Sequence, residues 1–253
     1  MGEHNKTPNP TKKKNSDNKW LHVIGIVIVL LVICVILRVM TAKDGVTKQT
    51  NVRFLMEHVK SGDMLTWKYS RTHWFEFIIT FFCGSLWTHS VLIQMHRGVP
   101  HTLFMQPASG ERTFLIRVPL QEWLITSHDG KRPGGFYRLA YSEASTTLTQ
   151  AQEDELEATV EHLRHDRAIR LRTRTDMLAT LDQTTPYDPA VEAKATFRRM
   201  TCSEVVAFIL RRMGRMSVDP ATSKMSAAYH PHHIVIEHRD LIPGSYHEAV
   251  EIK

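Results

Sequence analysis

The feature that most constrains the fold of this 253-residue chain is an apolar segment close to its N terminus, from Trp20 to Met40. Its central part, Val23 to Leu37, contains no charged residue. A helix of about 20 apolar residues is long enough to cross the hydrocarbon core of a bilayer. Trp20 and Arg38 stand where interfacial anchors are expected. The segment therefore predicts one transmembrane helix.

Two other structures are compatible with an apolar segment of this kind. A buried core helix would normally leave a polar face, and this segment has none. A cleaved signal peptide fits the basic start and the apolar middle, but the run is long for one and no small-x-small cleavage site follows it before Lys43. The residues favour an N-terminal, single-pass membrane anchor. Its orientation stays open because basic residues flank both ends, with the tail lysines slightly favouring a cytoplasmic N terminus.

The anchor divides the chain into unequal parts. Residues 1–19 are rich in Lys, Asn, Pro and Thr, a composition typical of a disordered tail. Residues 20–40 form the anchor, residues 41–51 are predicted to be a linker, and residues 52–253 are long enough for one globular domain. Much of the formal charge of +6 lies in the tail. Specific nucleic-acid binding is therefore not expected.

A short stretch near the C terminus has the pattern of a helix that begins with a cysteine. Thr201 and Glu204 form a capping box, which places Cys202 at the first helical position. Apolar residues then recur at helical spacing, namely Val205, Val206, Ile209 and Met213. The positive end of the helix dipole favours the thiolate, which is the nucleophilic form. A small buried residue at the start of a core helix is the alternative, and a base close to the thiol would decide between them.

A predicted β-hairpin upstream supplies that base. Two strand patterns flank the turn Arg97-Gly98. If the turn is a two-residue loop, counting outward places His89 opposite Gln106, with both side chains on one face about 5 Å apart. His101 would lie at the hairpin end, about 20 Å along the strand from His89. We therefore discount His101 as the base.

Three further patterns bear on chemistry. Cys34 lies in the anchor, and a bond between Cys83 and Cys202 would need an oxidising compartment, which the sequence does not decide. The tract Tyr-His-Pro-His-His at 229–233 resembles a zinc tract, but no Cys or acidic residue stands at metal-ligand spacing from it. No metal or other cofactor is expected. The arginine-rich run within 164–182 is typical of a solvated helix face.

The other elements are predicted from local patterns alone. Helices are expected at 47–58 and 149–164, and strands at 64–67, 112–118, 136–141 and 234–236.

Several short motifs stand in a characteristic order along the chain. They are Gly62-Asp63 before a strand, Thr88-His89-Ser90-Val91 at a strand start, Pro119-Leu120 with Trp123, Pro186-Tyr187-Asp188, and Thr201-Cys202-Ser203-Glu204 opening a helix. Their order and spacing resemble the permuted papain-like amidases. These form the circularly permuted branch of the NlpC cysteine peptidase superfamily, are related to lecithin retinol acyltransferase, and have members in bacteria, poxviruses and other large DNA viruses. The likeness spans residues 52 to 252.

The resemblance implies an α+β papain-like domain in which an antiparallel sheet packs on helices. It implies that Cys202 is the nucleophile and His89 its base. Gln106 occupies the strand position where relatives often have an acidic residue. An amide oxygen can orient an imidazole, but it cannot stabilise imidazolium as a carboxylate would.

Together, the resemblance and the anchor imply a membrane-anchored thiol hydrolase, an amidase or cysteine peptidase acting on amide- or acyl-containing substrates. The anchor makes lipid-linked substrates attractive. One alternative is a lipid-directed acyltransferase or thioesterase on the same fold. Another is a non-catalytic membrane protein, for instance a viral envelope component, that uses the fold for binding.

Overall fold

The computed structural model describes residues 14–42, 44–68, 80–81, 84–105, 115–128, 138–165, 170–171, 186–195 and 199–253. Cys83, Gln106 and most of the arginine-rich run lie outside these residues, as does the predicted tail up to residue 13. The chain divides into two compact units, Met1–Thr41 and Ala42–Lys253.

The first unit is built on one helix, α1 (Lys14–Met40). Within the described residues, its segment Trp20–Met40 is the one helical stretch long and apolar enough to cross a membrane, and a signal sequence would meet the same criterion. The helix starts before the predicted anchor, so residues 14–19 of the predicted disordered tail are helical. Extending an existing helix costs far less than nucleating one, which explains why polar residues continue it.

The second unit contains a mostly antiparallel sheet. Its described strands are β1 (Lys48–Thr50), β2 (Met64–Lys68), β3 (Trp87–His96), β4 (Val99–Met105), β5 (Leu115–Pro119), β6 (Leu139–Ser142) and β9 (Val250–Ile252). Between β6 and β9 in the chain, β7 (Arg170–Leu171) and β8 (Arg199–Met200) form a separate parallel pair. The seven-stranded sheet has the order β1-β9-β6-β2-β3-β4-β5, and only its β1–β9 pair is parallel.

Helices cover both faces of this sheet. They are α2 (Val52–His58), α3 (Leu120–His128), α4 (Gln150–His165), α5 (Pro189–Ala195) and α6 (Cys202–Arg212), with a 3₁₀ turn at Ser226–Ala228 and a π-helical turn at His232–Ile236. Along β2, Met64 packs in the core formed with α4 and α6, whereas Leu65 packs in the core formed with α2 and α3. Leu92 and Val91 divide in the same way along β3. This alternation is the period of two expected of a strand buried on both faces.

The mixed α and β architecture agrees with the prediction, but three local expectations do not. The helix predicted at 47–58 is strand β1 followed by α2, because Asn51 accepts a hydrogen bond from the Phe54 amide at 2.9 Å and starts the helix there. The predicted linker therefore contributes a strand to the sheet. The strand predicted at 234–236 is part of the π-helical turn.

The Gly62-Asp63 turn ties β2 to its surroundings through a buried carboxylate. Asp63 accepts hydrogen bonds from the Tyr141 hydroxyl at 2.6 Å, the Ala144 amide at 2.7 Å and the Lys60 amide at 2.9 Å. Gly62 has a φ of +90°, a conformation that side chains disfavour. Burial outweighs the three donors and raises the pKa of Asp63 to about 6.

We expect Asp63 to make the stability of the protein fall between pH 4 and 7. Its folded pKa exceeds its ordinary value of 3.8, so the folded state binds the proton more tightly. The resulting stabilisation of about 3 kcal/mol is present below pH 4 and lost as the pH rises through about 6. Asp63→Asn should remove this slope in thermal unfolding of the full chain in detergent. Glu57→Gln, at an exposed ion pair with Arg53, should leave it unchanged. A slope that persists in Asp63→Asn would exclude Asp63 as its source.

Candidate functional site

The N terminus of α6 is built as its sequence predicts. Thr201 Oγ1 accepts a hydrogen bond from the Glu204 amide, and Glu204 Oε2 accepts one from the Thr201 amide, both at 3.2 Å. This reciprocal capping fixes the first turn and places Cys202 at its first position.

The Cys202 thiol is free and 9% exposed. Burial raises the pKa of Cys202, whereas hydrogen bonds with Ser90 and with the backbone of Cys202 and Ser203 lower it. Burial is the largest of these effects, so the pKa of Cys202 lies above its ordinary value. The helix-dipole argument from the sequence predicts a pKa below that value, and this prediction is wrong. The resting thiol is therefore protonated at neutral pH.

Ser90 of β3, directly after His89, contacts the thiol. Ser90 is 2% exposed, and its hydroxyl makes no other hydrogen bond within the described part of the chain. In the sequence, Ser90 stands out only as part of the motif Thr88-His89-Ser90-Val91, because nothing in the local pattern distinguishes it from other strand serines. The structure thus brings Ser90 to the start of α6.

His89 lies beside a β-bulge. Its ring stacks on Trp67 with centroids 3.9 Å apart, and its Nδ1 is 3.4 Å from the Ser90 carbonyl oxygen. Trp67 pairs with His89, and Lys68 pairs with Trp87, so the intervening residue of β3 has no partner on β2. Bulges interrupt the alternation of side chains and occur often beside active sites. The His89 ring nevertheless lies on the face of the sheet where Trp67 packs with α2 and α3, whereas the Ser90 side chain faces Cys202 on the opposite side. The structure therefore does not bring the His89 ring to the Cys202 thiol.

The hairpin turn on which the predicted pairing rests is confirmed. Arg97 and Gly98 both have positive φ, as a two-residue type I′ turn requires, and His96 pairs with Val99. The pairing is described from there to Leu92 opposite Leu103. Gln106, predicted to lie opposite His89, is outside the described residues.

His101 lies at the turn end of this hairpin. Its ring is 5.7 Å from that of His96, and its Nδ1 is 2.8 Å from the Val99 carbonyl oxygen.

The histidine tract near residue 230 belongs to the packed π-helical turn. His232 Nε2 lies 3.2 Å from Glu237 Oε1, and burial lowers the pKa of His233 to about 3. A Cβ at Gly45 would come within 2.8 Å of Ile236, which shows how closely the chain covers this turn. Among the described residues, no cluster of three or more His, Cys, Asp or Glu side chains is arranged to hold a metal ion.

A cavity of about 420 Å³ lies at the other end of α6. Its lining includes Phe208 and Arg211 of α6, Thr159 and His162 of α4, and Tyr187 and Glu192 at α5. Phe208 follows Cys202 by about 9 Å of helix rise. The described cavity is thus separate from the thiol.

Comparisons with known proteins add little to this geometry. No family model and no curated protein matches the chain. Among solved structures, metalloprotein yiiX from Escherichia coli O157:H7 is similar, with 18% sequence identity over 62% of this chain and 67% of that chain, and a TM-score of 0.38. A likeness at this level leaves the function to be argued from the site.

Proposed function

We propose that the protein is a membrane-anchored thiol hydrolase with a papain-like domain. Cys202 is the nucleophile, His89 the general base, and Gln106 the group that orients the imidazole. The observation that supports this assignment is the contact between the Cys202 thiol and Ser90, which brings strand β3 against the nucleophile. To act as the base, the His89 imidazole would turn from the Trp67 face of the sheet towards Cys202, and the bulge beside it is where the strand departs from regular geometry.

The raised pKa of Cys202 selects one form of the mechanism. The thiol starts neutral, so His89 takes its proton as sulfur attacks the substrate carbonyl, rather than holding a thiolate in advance. The carbonyl oxygen becomes an oxyanion, and N–H groups at the start of α6 are its donors. The imidazolium then returns the proton to the leaving amine. Water releases the acyl group from the resulting thioester.

The apolar segment Trp20–Met40 supports a substrate at the membrane surface. As an anchor, it would confine the enzyme to two dimensions and raise the local concentration of any lipid-linked amide or ester. A lipid amine or alcohol in place of water would make the same thioester chemistry an acyl transfer. Attack on a thioester substrate would make the enzyme a thioesterase.

A non-catalytic binding module is the second candidate, and the burial of Cys202 favours it. Thiols enclosed in apolar surroundings are usually inert. In that case the N-terminal helix would hold a binding domain at a membrane, as in a viral envelope protein.

Thiol labelling of the full chain in detergent separates the two candidates. We expect iodoacetamide-alkyne to label Cys202 in the folded protein, with a rate that rises with pH and a midpoint above the ordinary thiol value of about 8.5, because burial raises this pKa. In a Cys34→Ser background, Cys202→Ser should abolish this labelling phase and Cys83→Ser should retain it. Labelling of Cys202 only after denaturation would favour the binding module.

A further inference from the structure

The hydroxyl groups around the Cys202 thiol differ in how they are satisfied. Ser203 Oγ donates to the Tyr229 carbonyl oxygen at 2.7 Å, and Thr201 Oγ1 caps the helix. Across the sheet, Thr66 Oγ1 donates to the His89 carbonyl oxygen at 2.5 Å. Each of these three hydroxyl groups therefore has a hydrogen-bond partner within the protein.

Ser90 is the exception among them. Its side chain is buried, and the thiol is the group its hydroxyl faces in the described part of the chain. Sulfur is a weak hydrogen-bond acceptor. A buried hydroxyl left with only such a contact costs stability, and in a native protein it calls for an explanation beyond packing.

We propose that Ser90 is a catalytic residue whose hydroxyl donates a hydrogen bond to the carbonyl oxygen of an acyl substrate while Cys202 attacks it. This inference rests on the proposed function. It extends that function by adding a side-chain donor to the backbone N–H groups at the start of α6.

The step is balanced by the groups of the proposed function. The S–H proton passes to His89 once its ring has turned from Trp67 towards the thiol, the sulfur lone pair forms the S–C bond, and the π electrons of the carbonyl move onto its oxygen. That oxygen lies two covalent bonds from Sγ, within reach of a group that contacts Sγ. As sulfur becomes part of a thioester it loses most of its acceptor strength, and the Ser90 hydroxyl turns to the charged oxygen. When the tetrahedral intermediate collapses, the electrons return to the C=O bond and the leaving group departs with the proton from His89.

The test uses the full chain in detergent micelles with p-nitrophenyl acetate as the acyl probe. Removing one oxyanion donor typically lowers kcat by about 10²–10³-fold, so Ser90→Ala should show a loss of about 10²-fold with KM nearly unchanged. Ser90→Thr keeps the hydroxyl and should stay within about tenfold of the wild type, since the same donor remains. Thr102→Val is the matched control, because it removes a buried strand hydroxyl that donates to the Val118 carbonyl oxygen. It should leave kcat unchanged.

A second readout follows the thiolate directly by its ultraviolet absorbance. Loss of the Ser90 hydroxyl should move the titration of Cys202 to higher pH, and Thr102→Val should not. An unchanged kcat in Ser90→Ala, or an equal loss of kcat in Ser90→Thr, would overturn the catalytic role of Ser90. If turnover still vanishes in Cys202→Ser, the proposed function is upheld in that case. Turnover that survives Cys202→Ser, or a wild type without turnover, would overturn both. In that case a shift in the titration of Cys202 in Ser90→Ala would show only that Ser90 contacts the thiol.

Discussion

Replacing His89 by alanine is expected to lower the rate of Cys202 acylation by about 10²–10⁴-fold, the usual contribution of a general base. The reason is the neutral state of the resting thiol, whose pKa is raised by burial. Without a base, the reaction must wait for the small fraction of thiolate. Single-turnover acylation by p-nitrophenyl acetate, measured against pH, separates the two routes. The wild-type rate should reach a plateau once the base is neutral, whereas the rate of His89→Ala should keep rising towards the higher pKa of the thiol.

Two controls distinguish the base from a structural role. His89→Gln keeps a polar side chain beside Trp67, on which the imidazole stacks, but the amide cannot act as a base. It should behave like His89→Ala. His101→Ala alters the hairpin end, where the ring contacts His96, and should retain the plateau. A plateau that persists in both His89 variants would remove His89 from the mechanism.

The sequence predicts the parts of the site that depend on residues close together in the chain. The capping box at Thr201 and Glu204 spans one helical turn, and the observed hydrogen bonds are those that the pattern predicts. The turn at Arg97 and Gly98 likewise fixes the register of β3 against β4. The cap of α4 is another example, with the Gln152 amide donating to Thr149 Oγ1. In each case the energetics are local.

Other features depend on pairings between distant parts of the chain. Strand β1 exists because it pairs with β9 at the C terminus, and the local sequence Lys48–Thr50 carries no such information. The prediction of a lowered pKa for the Cys202 thiol is wrong for a related reason. The helix dipole is visible in the sequence, but the enclosure of Cys202 by the sheet and the helices is a tertiary property, and this burial outweighs the hydrogen bonds that favour the thiolate. Ser90 becomes a candidate only when β3 is seen against α6.

The buried ion pair between Arg211 and Glu192 carries the largest expected effect on stability. The two side chains are 3% and 5% exposed, and Arg211 Nη1 lies 2.8 Å from Glu192 Oε2. The Tyr187 ring covers the guanidinium at 4.2 Å, and Ser226 hydrogen-bonds to both partners. Removing one partner of such a pair leaves an uncompensated buried charge, which costs about 3–5 kcal/mol. Glu192→Ala should therefore lower the melting temperature of the full chain in detergent by on the order of 10 °C.

The ion pair of the next residue of α6, Arg212 with Glu155, supplies a matched control. Arg212 bonds to Glu155 at 2.7 Å, but its side chain is 58% exposed, and exposed pairs contribute about 0–1 kcal/mol. Glu155→Ala should therefore change the melting temperature little. Replacing Arg211 and Glu192 together by methionine should recover much of the loss, since the cost lies in the unpaired charge rather than in the missing attraction. Equal effects of Glu192→Ala and Glu155→Ala would show that burial does not set the strength of these ion pairs. A double variant as unstable as Glu192→Ala would place the cost in packing around Tyr187 and the adjoining cavity.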